Sequence, residues 1–154
     1  MTSTEGRETG MPQCRSDQEL ESAFRDSRDA VVRDLFLFVT QESYGGQLQS
    51  GEPVTVPKFN FYVRARRLNG TVGPNVAFEY RQGWDFVRVF LNWQKYQVPE
   101  EALTAYRGDL NAAFGSAIDI TAREPAVTLS ALGGNLQAFK AAVLRFRDAV
   151  EAAS

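Results

Sequence analysis

Two apolar runs meet at Gln82-Gly83, and their alternation constrains the fold more than any other feature of the chain. Val76 to Arg81 and Trp84 to Trp93 alternate with period two, the period of a half-buried strand. The two residues between them suit a two-residue hairpin loop. That loop sets Arg81 opposite Trp84, Tyr80 opposite Asp85, Glu79 opposite Phe86, Phe78 opposite Val87, Ala77 opposite Arg88 and Val76 opposite Val89. Directly opposed residues share a face. One face then holds Val76, Phe78, Tyr80, Val87, Val89, Leu91 and Trp93, which predicts a core face. The other holds Ala77, Glu79, Arg81, Trp84, Phe86, Arg88 and Phe90.

A third strand precedes the hairpin. Phe59, Phe61, Val63 and Ala65 alternate with Lys58, Asn60, Tyr62, Arg64 and Arg66. If the Phe side packs on the core, the basic side joins the second face of the hairpin. Upstream, Leu20, Phe24, Ser27, Val31, Leu35 and Phe38 recur at three and four and predict one long helix over about 17–41. Ser16-Asp17-Gln18-Glu19 reads as a capping box for it. Residues 44–57, with three Gly and two Pro, predict a surface loop.

Downstream, Pro99-Glu100-Glu101 opens a second helix with acids at its positive end. Leu103, Tyr106, Leu110 and Phe114 form its buried face, and Gly115 closes it. Residues 117–122 and 126–131 predict two short strands around Arg123-Glu124-Pro125. Leu136, Phe139, Val143, Phe146 and Val150 predict the last helix. The order is α-βββ-α-ββ-α. Links of hairpin length between strands favour an α+β fold with a mainly antiparallel sheet of about five strands and three helices.

At 154 residues the chain suits one domain, expected over 16–154 behind a flexible tail at 1–15. The tail lacks an apolar stretch of the kind that marks a secretory signal. Cys14, the sole cysteine, lies in it without a nearby basic cluster to activate its thiol. One cysteine cannot form an internal disulfide, so a cytoplasmic location is expected. No apolar run is long enough to span a membrane.

The chain has no His, which removes His-based general bases, Ser-His and Cys-His couples and His-ligated zinc. Neither a G-x-x-x-x-G-K-[ST] nor a G-x-G-x-x-G phosphate loop occurs, and no G-x-S-x-G elbow occurs. Glu79 and Asp85 fall on opposite faces of the hairpin and cannot share a metal ion. The expectation is therefore no cofactor, no metal and no catalysis.

Charge is uneven. Residues 55–96 carry 7 basic and 2 acidic groups, whereas residues 1–54 carry 5 basic and 10 acidic. The positive charge lies on the three long strands, beside exposed-type aromatics. Tyr62, Arg64, Arg66, Arg81, Trp84, Phe86, Arg88 and Phe90 form the candidate binding set. Aromatics and Arg together are enriched at protein interfaces, so a protein-binding module (adaptor, regulator or inhibitor) is the leading expectation. The second is a nucleic-acid-binding accessory protein using strands 58–67 and 81–95, with rings stacking bases and Arg neutralising phosphate. The net charge of -2 weighs against it. A metal-dependent enzyme comes third. The bland counterpart to all three has a helix over this face and Arg88 paired with Glu79. Self-association stays open.

Overall fold

The structure is a computed structural model that describes residues 17–43 and 57–154. The expected tail at 1–15, Cys14, Ser16 of the capping box and all but the end of the 44–57 loop lie outside the described residues.

The first helical stretch is two helices, α1 (Asp17–Arg25) and α2 (Ala30–Glu42), where one was expected. The break follows from Asp29. Its carboxylate accepts from the backbone N–H of Val31 at 2.8 Å and of Val32 at 3.4 Å, which makes it the N-cap of a new helix. Phe24 of α1 and Val32, Leu35, Phe36, Phe38 and Val39 of α2 are buried.

Four strands follow in antiparallel order: β1 (Lys58–Arg66), β2 (Val72–Arg81), β3 (Phe86–Val89) and β4 (Ala126–Thr128). The central hairpin pairs Phe78 with Val89 and Glu79 with Arg88. Its loop is thus Gln82–Asp85, four residues long, and the register is displaced by two from the expected one. Side chains alternate with period two, so a displacement of two keeps every residue on its expected face. Phe78, Tyr80, Val87, Val89, Leu91 and Trp93 are all buried. Val76 is the exception. The β1–β2 pairing passes from Phe61 and Phe78 to Tyr62 and Val76, leaving Ala77 as an extra residue. This bulge turns Val76 to the Tyr62 side and off the core face.

Between β3 and β4 runs α3 (Glu100–Phe114), ended by Gly115 at φ +53°, where a Cβ would be strained. The strand expected at 117–122 does not form. A turn of 3₁₀ helix covers Gly115–Ala117, and Asp119 then accepts from the backbone N–H of Thr121 at 3.0 Å and from its hydroxyl at 2.6 Å. A side chain that bonds its own backbone two residues on replaces the ladder a strand would need. These bonds hold the Asp119 carboxyl below its ordinary pKa. The strand expected at 126–131 stops at Thr128, whose hydroxyl caps α4 (Leu129–Gly134) by accepting from Ala131 N–H at 3.1 Å. Finally α5 (Leu136–Ala152) buries Phe139, Ala142, Val143, Phe146 and Val150. The fold is α+β, with four strands and five helices among the described residues.

The helices pack on one face of the sheet. Phe24 meets Phe59 edge-on at 4.9 Å, Phe38 stacks on Phe61 at 5.1 Å, and Phe139 meets Phe78 at 5.2 Å. α3 lies outside α5, with Tyr106 stacked on Phe146 at 4.3 Å. α4 reaches α2, where Gly133 approaches Val31 closely enough that a Cβ would lie 3.3 Å from its Cγ2. Aromatic pairs of this geometry add to the gain from burying their area. The outer edge of β1 is covered by side chains. Ser43 Oγ accepts from Tyr62 N–H at 2.7 Å, and Glu151 Oε2 from Arg64 N–H at 3.0 Å. No helix among the described residues is long and apolar enough to cross a membrane.

Candidate binding face

Strand pairing arranges the second face of the sheet in rows. One row runs Asn60, Glu79, Arg88, Ala126 across the four strands. The row beside it begins Lys58, Arg81 and ends Phe86, Thr128. Among the described residues no helix lies over this face, because the helices occupy the opposite one through Phe59, Phe61 and Phe78.

Trp84 stands in the β2–β3 loop at the end of these rows. Gly83, at φ +93°, turns the chain there, and Trp84 N–H donates to Arg81 O at 3.0 Å. From the core side, the Tyr80 hydroxyl donates to Trp84 O at 3.0 Å, which fixes the loop on the sheet. Burial raises the pKa of that hydroxyl, so it stays a donor. The indole then stacks on Phe86, with centroids 4.5 Å apart and planes 16° off parallel. The guanidinium carbons of Arg81 and Arg88 each lie 5.3 Å from the Trp84 ring centre, and that of Arg88 is 5.9 Å from Phe86.

The charges of the cluster are matched locally. Glu79 is buried on this face and pairs with Arg81 at 3.3 Å and Lys58 at 3.7 Å. Arg88 pairs with Glu124 at 3.9 Å, and not with Glu79 as the bland reading had it. Asn60 is also buried, and its Nδ2 donates to the Tyr62 hydroxyl at 3.0 Å.

The structure brings together four of the eight candidate residues: Arg81, Trp84, Phe86 and Arg88. The others are spread along the sheet. Lys58 pairs with Arg81 and Arg66 with Val72, so Arg66 lies eight residues farther along β1, roughly 26 Å away. Its guanidinium donates to Gly70 O at 2.8 Å, near the tip of the β1–β2 hairpin. Tyr62 and Arg64 lie between these ends, their backbone N–H groups held by Ser43 and Glu151. Phe90 follows β3 and its carbonyl accepts from Trp93 Nε1 at 2.9 Å. Sequence reasoning missed Glu124 and Asn60 as parts of the face. Alternation marked Asn60 on β1, but only the pairing of β4 with β3 shows that Glu124 reaches Arg88.

No group of three or more His, Cys, Asp or Glu side chains among the described residues could hold a metal ion. Three cavities formed by described residues are shallow grooves away from this face. One of them, of about 440 Å³, runs between α2 and α5 past Leu37, Phe38, Lys140 and Leu144. Comparison with protein-family models, curated proteins and solved structures finds no match.

Proposed function

We propose that the chain is a non-catalytic protein-binding module, an adaptor, regulator or inhibitor, that engages its partner through Arg81, Trp84, Phe86 and Arg88. The observation that carries this reading is the half-buried Trp84–Phe86 stack, with two guanidinium groups against it on a sheet face that no described helix covers. Trp and Arg are the residue types that dominate interface hot spots, and tyrosine-like rigidity of the anchor limits the entropy lost on docking. Here the loop bonds to Arg81 O and from Tyr80 hold the anchor in place before any partner arrives. Cysteine usage supports a cytoplasmic location as part of this reading.

The second reading, nucleic-acid binding, draws on Lys58, Arg64, Arg66, Arg81 and Arg88 sharing the face. It ranks lower because the Trp84 ring is already engaged by Phe86, Arg81 and Arg88, so a base has to displace one of them to stack.

Capture from native lysate, with and without nuclease, separates the two. The proposal expects protein partners that survive nuclease. Trp84→Ala then weakens their binding by about 2 kcal/mol or more while leaving the fold intact. Recovery of nucleic acid, with affinity falling steeply in salt, would instead favour the second reading.

A further inference from the structure

We propose that the tip of the β1–β2 hairpin docks end-on against an anionic lipid surface. This goes beyond the protein-binding reading and stands without it, because the tip lies at the opposite end of β1 from the Lys58–Arg81 row.

The turn is held by its own side chains. Gly70, at φ +93°, reverses the chain, and its N–H donates to Arg67 O at 2.9 Å. Asn69 Oδ1 accepts from the N–H of Thr71 at 3.0 Å and from its hydroxyl at 2.8 Å. The segment after β3 braces the hairpin. Leu68 N–H donates to Lys95 O at 3.0 Å, Gln97 N–H donates to Arg66 O at 2.7 Å, and Arg67 bridges Tyr96. Leu68 and Val72 flank this turn, 66% and 42% exposed. They are two of the three exposed large apolar side chains among the described residues, so the exposure is concentrated at one place and not scattered.

Three cations surround the two apolar side chains. Arg66 lies on the second face, paired with Val72. Arg67 turns the other way, its guanidinium 5.7 Å from the Tyr96 ring centre and so close to Gly73 that a Cβ there would lie 2.6 Å from Nη1. Lys95 stands at the outer edge beside Leu68 and is exposed. No ion pair among the described residues engages Arg66, Arg67 or Lys95. Residues 57–78 and 86–99 contain no Asp or Glu, and Glu151 is committed to the Arg64 N–H, two residues before Arg66. Cations on both faces and on the edge cannot all meet a partner that lies along one face. They can all meet a flat anionic surface approached along the strands. Phosphates of a nucleic acid would satisfy the charges and leave Leu68 and Val72 in water. The interfacial zone of a bilayer takes both, with apolar side chains below and charges at the headgroups. Each Lys or Arg near an anionic leaflet is worth about fivefold in affinity, so attachment by three is weak and reversible. The Lys58–Arg81 end, with Trp84 beyond it, then points away from the lipid and stays open to a protein.

Cosedimentation of the full chain with vesicles tests this. Vesicles of phosphatidylcholine alone are compared with vesicles of phosphatidylcholine and phosphatidylserine in equal parts. Binding is expected to the mixed vesicles only, and should fall as salt is raised. Lys95→Gln and Leu68→Ser change exposed side chains, and melting checks that both variants fold. Lys95→Gln should weaken binding about fivefold. Leu68→Ser should weaken it at least as much, through the lost apolar burial. Lys140→Gln removes the same charge from α5 and should leave binding unchanged. Equal binding to both kinds of vesicle, or none to either, would overturn the proposal. Lys140→Gln matching Lys95→Gln would overturn it too, since net charge and not the tip would then be read. Binding that survives Leu68→Ser and is displaced by duplex DNA would overturn it in favour of a polyanion site.

Discussion

The Tyr106 hydroxyl lies in the core without a hydrogen-bond partner. The ring is 1% exposed and stacks on Phe146, and burial holds the hydroxyl pKa well above its ordinary 10.0. A buried hydroxyl that bonds nothing costs its desolvation, so Tyr106→Phe should raise stability by roughly 1 kcal/mol at neutral pH. The sign with pH follows from the raised value. The folded chain holds this proton more tightly than the unfolded one, so the proton's contribution is intact below pH 10 and is lost as pH climbs beyond it. Wild-type stability should fall by up to about 1.4 kcal/mol per pH unit there from this group, and the Phe variant should escape that part. Urea midpoints at pH 8 and pH 10.5 read both effects, and parallel pH profiles for the two proteins would refute the account. The spacing Leu103, Tyr106, Leu110, Phe114 marked the ring as buried. It could not show what the ring packs on, because its stacking partner, Phe146, comes from α5. Leu37 shows the opposite failure. The run Leu35 to Val39 reads as apolar on every side, yet Leu37 is 38% exposed while its four neighbours are buried.

Elements were legible where one period held throughout and were misread where a single polar side chain changed the backbone's partner. Asp29 sits inside a helical spacing that runs Phe24, Ser27, Val31, Leu35 and Phe38, so the pattern alone predicts one helix. Its carboxylate caps Val31 and Val32 and divides the helix in two. Asp29→Ala should cost about 0.5–2 kcal/mol, and amide exchange should quicken first in the opening turn of α2. Unchanged stability would mean that packing of Val32 and Leu35 sets the break without the cap. Asp119 and Thr128 ended two expected strands by the same chemistry. The central hairpin shows why a wrong register still gave the right faces. Its four-residue loop moved the pairing by two, and only the bulge at Ala77, an odd step, moved Val76 across the sheet.

At the scale of the whole molecule, alternation was enough to place Arg81, Trp84, Phe86 and Arg88 on one face, but not to judge distance along it. Arg64 and Arg66 share their face and lie toward its far end. The edges were not legible at all, since Ser43 and Glu151 reach β1 from helices distant in sequence. Those two contacts carry a consequence for association. An uncovered edge offers a row of N–H and C=O groups to any other strand, and native sheets block such rows. Ser43 and Glu151 block β1, and the brevity of β4 limits the other edge. Ser43→Ala with Glu151→Ala should therefore leave the core intact, since neither side chain is part of it, while freeing the Tyr62 and Arg64 N–H groups for a second chain. The expected result is a monomer–oligomer equilibrium shifted toward oligomer, read by sedimentation velocity over a concentration series. Adding Tyr62→Pro, which removes one of the freed donors on an edge strand, should reverse the shift. A double variant that sediments as the wild type does at every concentration would show that the two side chains do not guard this edge.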